Sequence, residues 1–131
     1  MKFLSIFKAP ERTTPPTPEE MATMGKYVEE SFRRGILVAT EGCLPTRFGA
    51  RVRVDSGKYT VSDGPFTEAK EVVGGFAILE APSKEVAVEY VKEFLAIVGQ
   101  GECELRQVYE TPSPCTDTAA AEKPEYITAK A

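Results

Sequence analysis

Two periodicities alternate along this chain and divide it into elements. Phe3, Leu4, Ile6 and Phe7 form a short apolar run closed by Lys8, the length of one strand that enters a core at once. Residues 9–17, with Pro10, Pro15 and Pro16, form a connection that cannot be helical. Thr17-Pro18-Glu19-Glu20 then starts a helix: Thr17 can accept from a first-turn N–H, Pro18 suits the first helical position, and Glu20 completes a capping box. Met21, Met24, Val28 and Phe32 follow at spacings of three and four, which predicts one buried face. Arg33 and Arg34 suit the negative end of the helix dipole, and Gly35 stops it.

Ile36 to Cys43 begins apolar on both faces, the pattern of a central strand. Ala50–Asp55 and Lys58–Ser62 flank Ser56-Gly57 and predict a hairpin. With Asp55 facing Lys58, Val54 meets Tyr59 and Val52 meets Val61 on one side, while Arg51, Arg53, Thr60 and Ser62 lie on the solvated side. The same parity continues the apolar face into Asp63 and predicts a carboxylate aimed inward. Val72 to Ala81 is another strand. Ser83 caps a second helix, whose Val86, Tyr90, Val91, Phe94, Leu95 and Val98 form a broad stripe closed by Gly99. Glu102 to Glu110 is the last strand. Residues 111–131 are expected to be a tail, disordered or packed on a partner subunit.

The order is strand, helix, strand, hairpin, strand, helix, strand. Without the hairpin it is β-α-β-β-α-β, so the expected fold is α+β, ferredoxin-like, over residues 1–110 with an inserted β-hairpin. Two helices on one face of a four-stranded sheet leave the other face open. Pairing two sheets face to face hides it most simply and predicts a homodimer; the hairpin could equally cover part of that face within one chain.

Composition narrows the chemistry. The chain has 131 residues, no His, and 16 Lys plus Arg against 20 Asp plus Glu, a formal charge of −4. An acidic balance speaks against nucleic acid as a partner. Without imidazole there is no Ser-His-Asp or Cys-His nucleophile pair and no His metal ligand. Neither a secretory apolar region nor a membrane span is expected from the Phe3–Phe7 run. Three cysteines, none in a C-x-x-C pair, suit reduced thiols in a cytoplasmic protein; Cys43 and Cys103 are expected to be small buried hydrophobes, and Cys115 to sit in the polar tail.

The phrase Asp63-Gly64-Pro65-Phe66-Thr67-Glu68-Ala69-Lys70-Glu71 resembles the signature of the DGPF proteins within the YCII-related family of small bacterial proteins. Pro18-Glu19-Glu20-Met21, Glu41-Gly42, Gly49-Ala50-Arg51-Val52-Arg53, Gly74-Gly75-Phe76 and Glu104-Leu105-Arg106-Gln107-Val108 match in order, so the resemblance covers residues 1 to 110. It implies a ferredoxin-like subunit that dimerises through its sheets into a dimeric α+β barrel. It also implies that most members have no established activity. A few relatives are associated with small-molecule chemistry, including dehalogenation of chlorinated aromatics, and others are proposed to use a His–Asp pair, which this chain cannot form. DGPF proteins are often encoded beside, or fused to, extracytoplasmic-function sigma factors, which suggests a regulatory role instead.

The candidate site residues are Asp63, Glu41, Lys70 and Glu71. Asp63 has two readings: an Asx-type turn residue before Gly-Pro, or a carboxylate at the lip of a cleft acting as acid or base. Glu41, at a strand exit, is the second acid–base candidate. Lys70 and Glu71 face a ligand, a partner subunit or water. Two functions follow. One is a binder, or an enzyme, for a small molecule held in a cleft near the Asp-Gly-Pro-Phe loop, with no cofactor and no metal expected. The other is a non-catalytic dimeric module that binds a protein such as a sigma factor. The sequence names no reaction.

Overall fold

The starts of both long helices follow from local signals, beginning with the first. In the computed structural model, which describes residues 1–110, helix α1 (Pro18–Arg33) starts on the reciprocal capping box of Thr17 and Glu20. The Glu20 carboxylate accepts from the Thr17 backbone N–H and from Arg12, and these bonds pull its pKa down to about 2. Strands β1 (Lys2–Ala9), β2 (Leu37–Gly42), β3 (Ala50–Asp55), β4 (Lys58–Asp63), β5 (Val72–Glu80) and β6 (Glu102–Gln107) follow the predicted order, with α2 (Lys84–Val98) between the last two. A 3₁₀ turn at Thr46–Phe48, which the sequence pattern does not reveal, precedes β3. The Ser83 hydroxyl accepts from the Val86 N–H to open α2, and Gly99 closes it.

The main sheet has the order β2-β5-β1-β6, and the strand pairs within it are antiparallel. This mixed α+β arrangement, with two helices on one sheet, is compatible with a ferredoxin-like fold. Strand parity separates its two faces. Phe3 opposite Leu79, Ser5 opposite Ala77 and Phe7 opposite Cys103 face the helices. There Phe3, Leu37 and Leu79 pack with Ile36, Ala81, Ala87 and Val91 as the core. The opposite parity puts Leu4 against Ile78 and Ile6 against Phe76, and no helix covers them.

Several expectations change. β2 is an edge strand, not a central one; its apolar start reflects Ile36 and Leu37, which are buried where the chain leaves α1, while Val38 is exposed. Helix α1 turns Met24, Tyr27, Val28 and Ser31 inward, a face at three- and four-residue spacing rotated from the predicted one, and leaves Met21 and Phe32 exposed. Cys43 lies past the end of β2 and is exposed; Cys103 is half-buried, and burial pushes its thiol pKa up. β3 and β4 form their own two-stranded sheet with every residue exposed, so they do not cover the helix-free face of the main sheet. Asp63, at the end of β4, is therefore exposed rather than aimed inward. The expectations for 111–131, including Cys115, lie outside the described residues. Among the described residues no helix is long and apolar enough to cross a membrane.

Candidate functional site

Three chain segments far apart in sequence meet at one end of the helix-free face. Lys8 comes from the end of β1, Thr46 from the 3₁₀ turn, and Phe66 from the Asp-Gly-Pro-Phe loop. The meeting is tied by Thr46. Its backbone N–H and its hydroxyl both donate to the Glu11 carboxylate, the hydroxyl at 2.7 Å. The same hydroxyl oxygen accepts from the Phe66 backbone N–H at 3.1 Å. The Gly64 N–H donates to the Gly49 carbonyl at 3.0 Å, which closes the loop onto the turn. A side chain at position 64 has no room: an added Cβ would lie 1.7 Å from the Thr46 carbonyl oxygen. The glycine of the loop phrase is thus required by close backbone approach.

These segments enclose an open cleft of about 380 Å³ lined by Lys8, Thr46, Arg51, Phe66, Glu71, Val72 and Val73. The Arg51 guanidinium lies 3.9 Å from the centroid of the Phe66 ring and pairs with Glu68. The ring and one carboxylate hold the guanidinium at the cleft, where its other N–H groups can meet an anion. Lys8 Nζ lies 2.9 Å from Glu104 Oε1, and this bond, with the nearby charges of Glu102 and Glu71, holds the ammonium pKa above its ordinary value. Glu71 carries no hydrogen bond of its own among the described residues. Val72 and Val73 supply the apolar wall. The cleft therefore offers two cations, one free carboxylate, an aromatic edge and an aliphatic surface.

Of the four residues singled out from sequence, Glu71 lines this cleft. Glu41 stands opposite Phe76 on the helix-free face of β2, exposed. Asp63 is paired with Ala50 at the root of the hairpin, and Lys70 is exposed in the loop that follows. None of these three is among the residues lining the cleft. The residues that sequence reasoning missed are Lys8, Thr46, Arg51 and Phe66. Hairpin parity puts Arg51 on the polar face, and it lies there, but at the hairpin root that face turns over Phe66. Among the described residues no three Asp, Glu or Cys side chains are gathered where they could hold a metal ion.

The Glu11–Thr46 tie makes a pH prediction. Two hydrogen bonds from Thr46, the backbone one foremost, lower the Glu11 pKa from 4.5. A depressed folded-state pKa stabilises the fold above the unfolded value, and that contribution disappears as pH falls through the folded one. The melting temperature of the wild type should therefore drop as pH is lowered below about 4.5, and Glu11→Gln should remove part of that slope. Superimposable melting profiles against pH would refute the tie.

Residues 1–112 match the family model of the YCII-related domain. A protein of Rhizobium meliloti (strain 1021), named as an uncharacterized protein, is 33% identical over 72 residues, covering 55% of this chain and 55% of that protein. The chain thus spans about half the length of this curated relative in the alignment.

Proposed function

The chain belongs to the YCII-related family, and from that premise we propose that it binds a small organic anion in the cleft between the end of β1, the 3₁₀ turn and the Asp-Gly-Pro-Phe loop. The observation that carries this reading is the pairing of Lys8 and the ring-stacked Arg51 on one cleft of about 380 Å³ with an apolar wall. A volume of that size suits a small ligand, and pockets of this kind combine apolar lining with few polar groups. A carboxylate would exchange places with Glu68 or Glu104 as partner of the two cations. Glu71 would accept from a donor group on the same molecule. Asp63, Glu41 and Lys70 stand around this region as further candidates for contact or proton transfer.

Two copies pair through the helix-free faces of their sheets in this reading. Its support is the apolar row Leu4, Ile6, Phe76 and Ile78, which no element of the described chain covers. The test of ligand binding is calorimetry and thermal shift with aliphatic and aromatic carboxylates, amino acids and amines. Carboxylates should bind and amines should not. Arg51→Ala should weaken the best carboxylate at least about tenfold, the loss of one charge-assisted bond. Carboxylate binding that is unaffected by both Arg51→Ala and Lys8→Ala would place the ligand elsewhere and end this reading.

A further inference from the structure

An anionic group alone would not balance the charges around the cleft. Arg51 is met by Glu68, and Lys8 by Glu104, with Glu102 and Glu71 near enough for their charge to act on it. Arg106 shares Glu104 at 3.1 Å, and these carboxylates still outnumber the cations. Glu71 differs from the others. It lines the cleft itself, and it holds neither hydrogen bond nor ion pair among the described residues. Thr46 offers a ligand no proton, because its hydroxyl donates to Glu11 and accepts from the Phe66 N–H. The cleft therefore presents N–H donors from Arg51 and Lys8 and one open carboxylate, beside the side chains of Val72 and Val73.

We infer that the ligand is an amino acid with an aliphatic side chain, held as a zwitterion with its carboxylate on Arg51 and its ammonium on Glu71. The inference rests on the anion-binding reading above and narrows it. A carboxylate without an ammonium would bring another negative charge beside Glu71, and like charges in close juxtaposition oppose binding. An amine without a carboxylate would meet the two cations instead. A zwitterion answers both signs at once, and the desolvation of each charged end is offset by a partner. Glu71 also fixes where the rest of the molecule goes. It adjoins Val72 in the chain, so a ligand anchored there lays its side chain along the apolar wall of Val72 and Val73. Discrimination then falls to Glu71, which admits the amino acid and repels the bare acid.

Calorimetry on the full chain with three probes of matched shape tests this: norvaline, pentanoate, which lacks the ammonium, and butylamine, which lacks the carboxylate. Norvaline should bind about tenfold more tightly than pentanoate, the worth of one charge-assisted bond, and butylamine should not bind. Glu71→Gln should remove that margin, weakening norvaline while tightening pentanoate. A merely structural role for Glu71 would weaken both. Glu71→Asp keeps the charge and should keep the preference. Arg51→Ala should weaken both acids. If pentanoate binds the wild type at least as tightly as norvaline, and Arg51→Ala weakens it, the zwitterion is overturned and the anion reading stands. Absence of norvaline binding, or a preference for it that survives Glu71→Gln, also overturns the inference. Norvaline binding that is indifferent to both Arg51→Ala and Lys8→Ala overturns the inference and the anion reading together.

Discussion

Gly64→Ala should cost about 3 kcal/mol of stability and take the cleft with it, because the added methyl meets backbone rather than a movable side chain. The new Cβ would sit 1.7 Å from the Thr46 carbonyl oxygen and 2.5 Å from its carbon. No rotamer relieves that clash, so the loop must move away from the turn. Four hydrogen bonds are then at risk: Gly64 N–H to Gly49, Phe66 N–H to Thr46, and the two from Thr46 to Glu11. Phe66 would shift with them and leave Arg51 without its ring. Urea unfolding should show a lower midpoint at unchanged slope, which reports lost stability and not a changed denatured state. Gly25→Ala is the matched control. It lies within α1 with nothing within 4 Å of an added Cβ, so it should stabilise by roughly 0.5–1 kcal/mol. A Gly64→Ala protein within about 1 kcal/mol of the wild type would show that the turn yields, and the cleft would not depend on this approach.

The features legible in the sequence are those fixed by neighbours along the chain. Thr17 and Glu20 cap α1 because both partners lie within one turn, and the hairpin register follows from the Ser56-Gly57 turn and simple alternation. The order of strands and helices along the chain is likewise legible from the alternation of apolar runs and helical stripes, whereas the sheet order β2-β5-β1-β6 is set by pairings between distant strands. What could not be read depends on distant pairings. An apolar stretch such as Ile36-Leu37-Val38 looks the same in a central strand and in an edge strand that receives a helix, and the burial of Ile36 and Leu37 at the end of α1 decides it. Parity correctly placed Asp63 on the same face as Tyr59 and Val61. It could not say that this face looks away from the body. The cleft was hidden for the same reason: Lys8, Thr46, Arg51 and Phe66 are brought together by the Glu11 carboxylate reaching across to Thr46. Glu71 was within reach of sequence reasoning because it ends the loop phrase itself.

Phe3→Ala should be the most damaging single truncation, about 4 kcal/mol, because a buried ring leaves both lost transfer energy and a cavity. Phe3 is 1% exposed and sits opposite Leu79, and it is the largest fully buried side chain of a seven-residue apolar core. Domains of this size are stable by about 5–15 kcal/mol in all, so a loss of that order leaves the fold marginal. Phe76 is the informative comparison, since it lies on a neighbouring strand with the opposite parity, 37% exposed and facing away from the helices. Phe76→Ala should cost little in an isolated chain and much in a paired one. Association stabilises only the folded state, so its contribution grows with protein concentration. Urea midpoints at two concentrations a hundredfold apart separate the two cases. Phe3→Ala should lower the midpoint equally at both, whereas the deficit of Phe76→Ala should widen at the higher one. If the two variants lose the same stability at both concentrations, Phe76 is buried by its own chain, and the helix-free face is not a surface for a second copy.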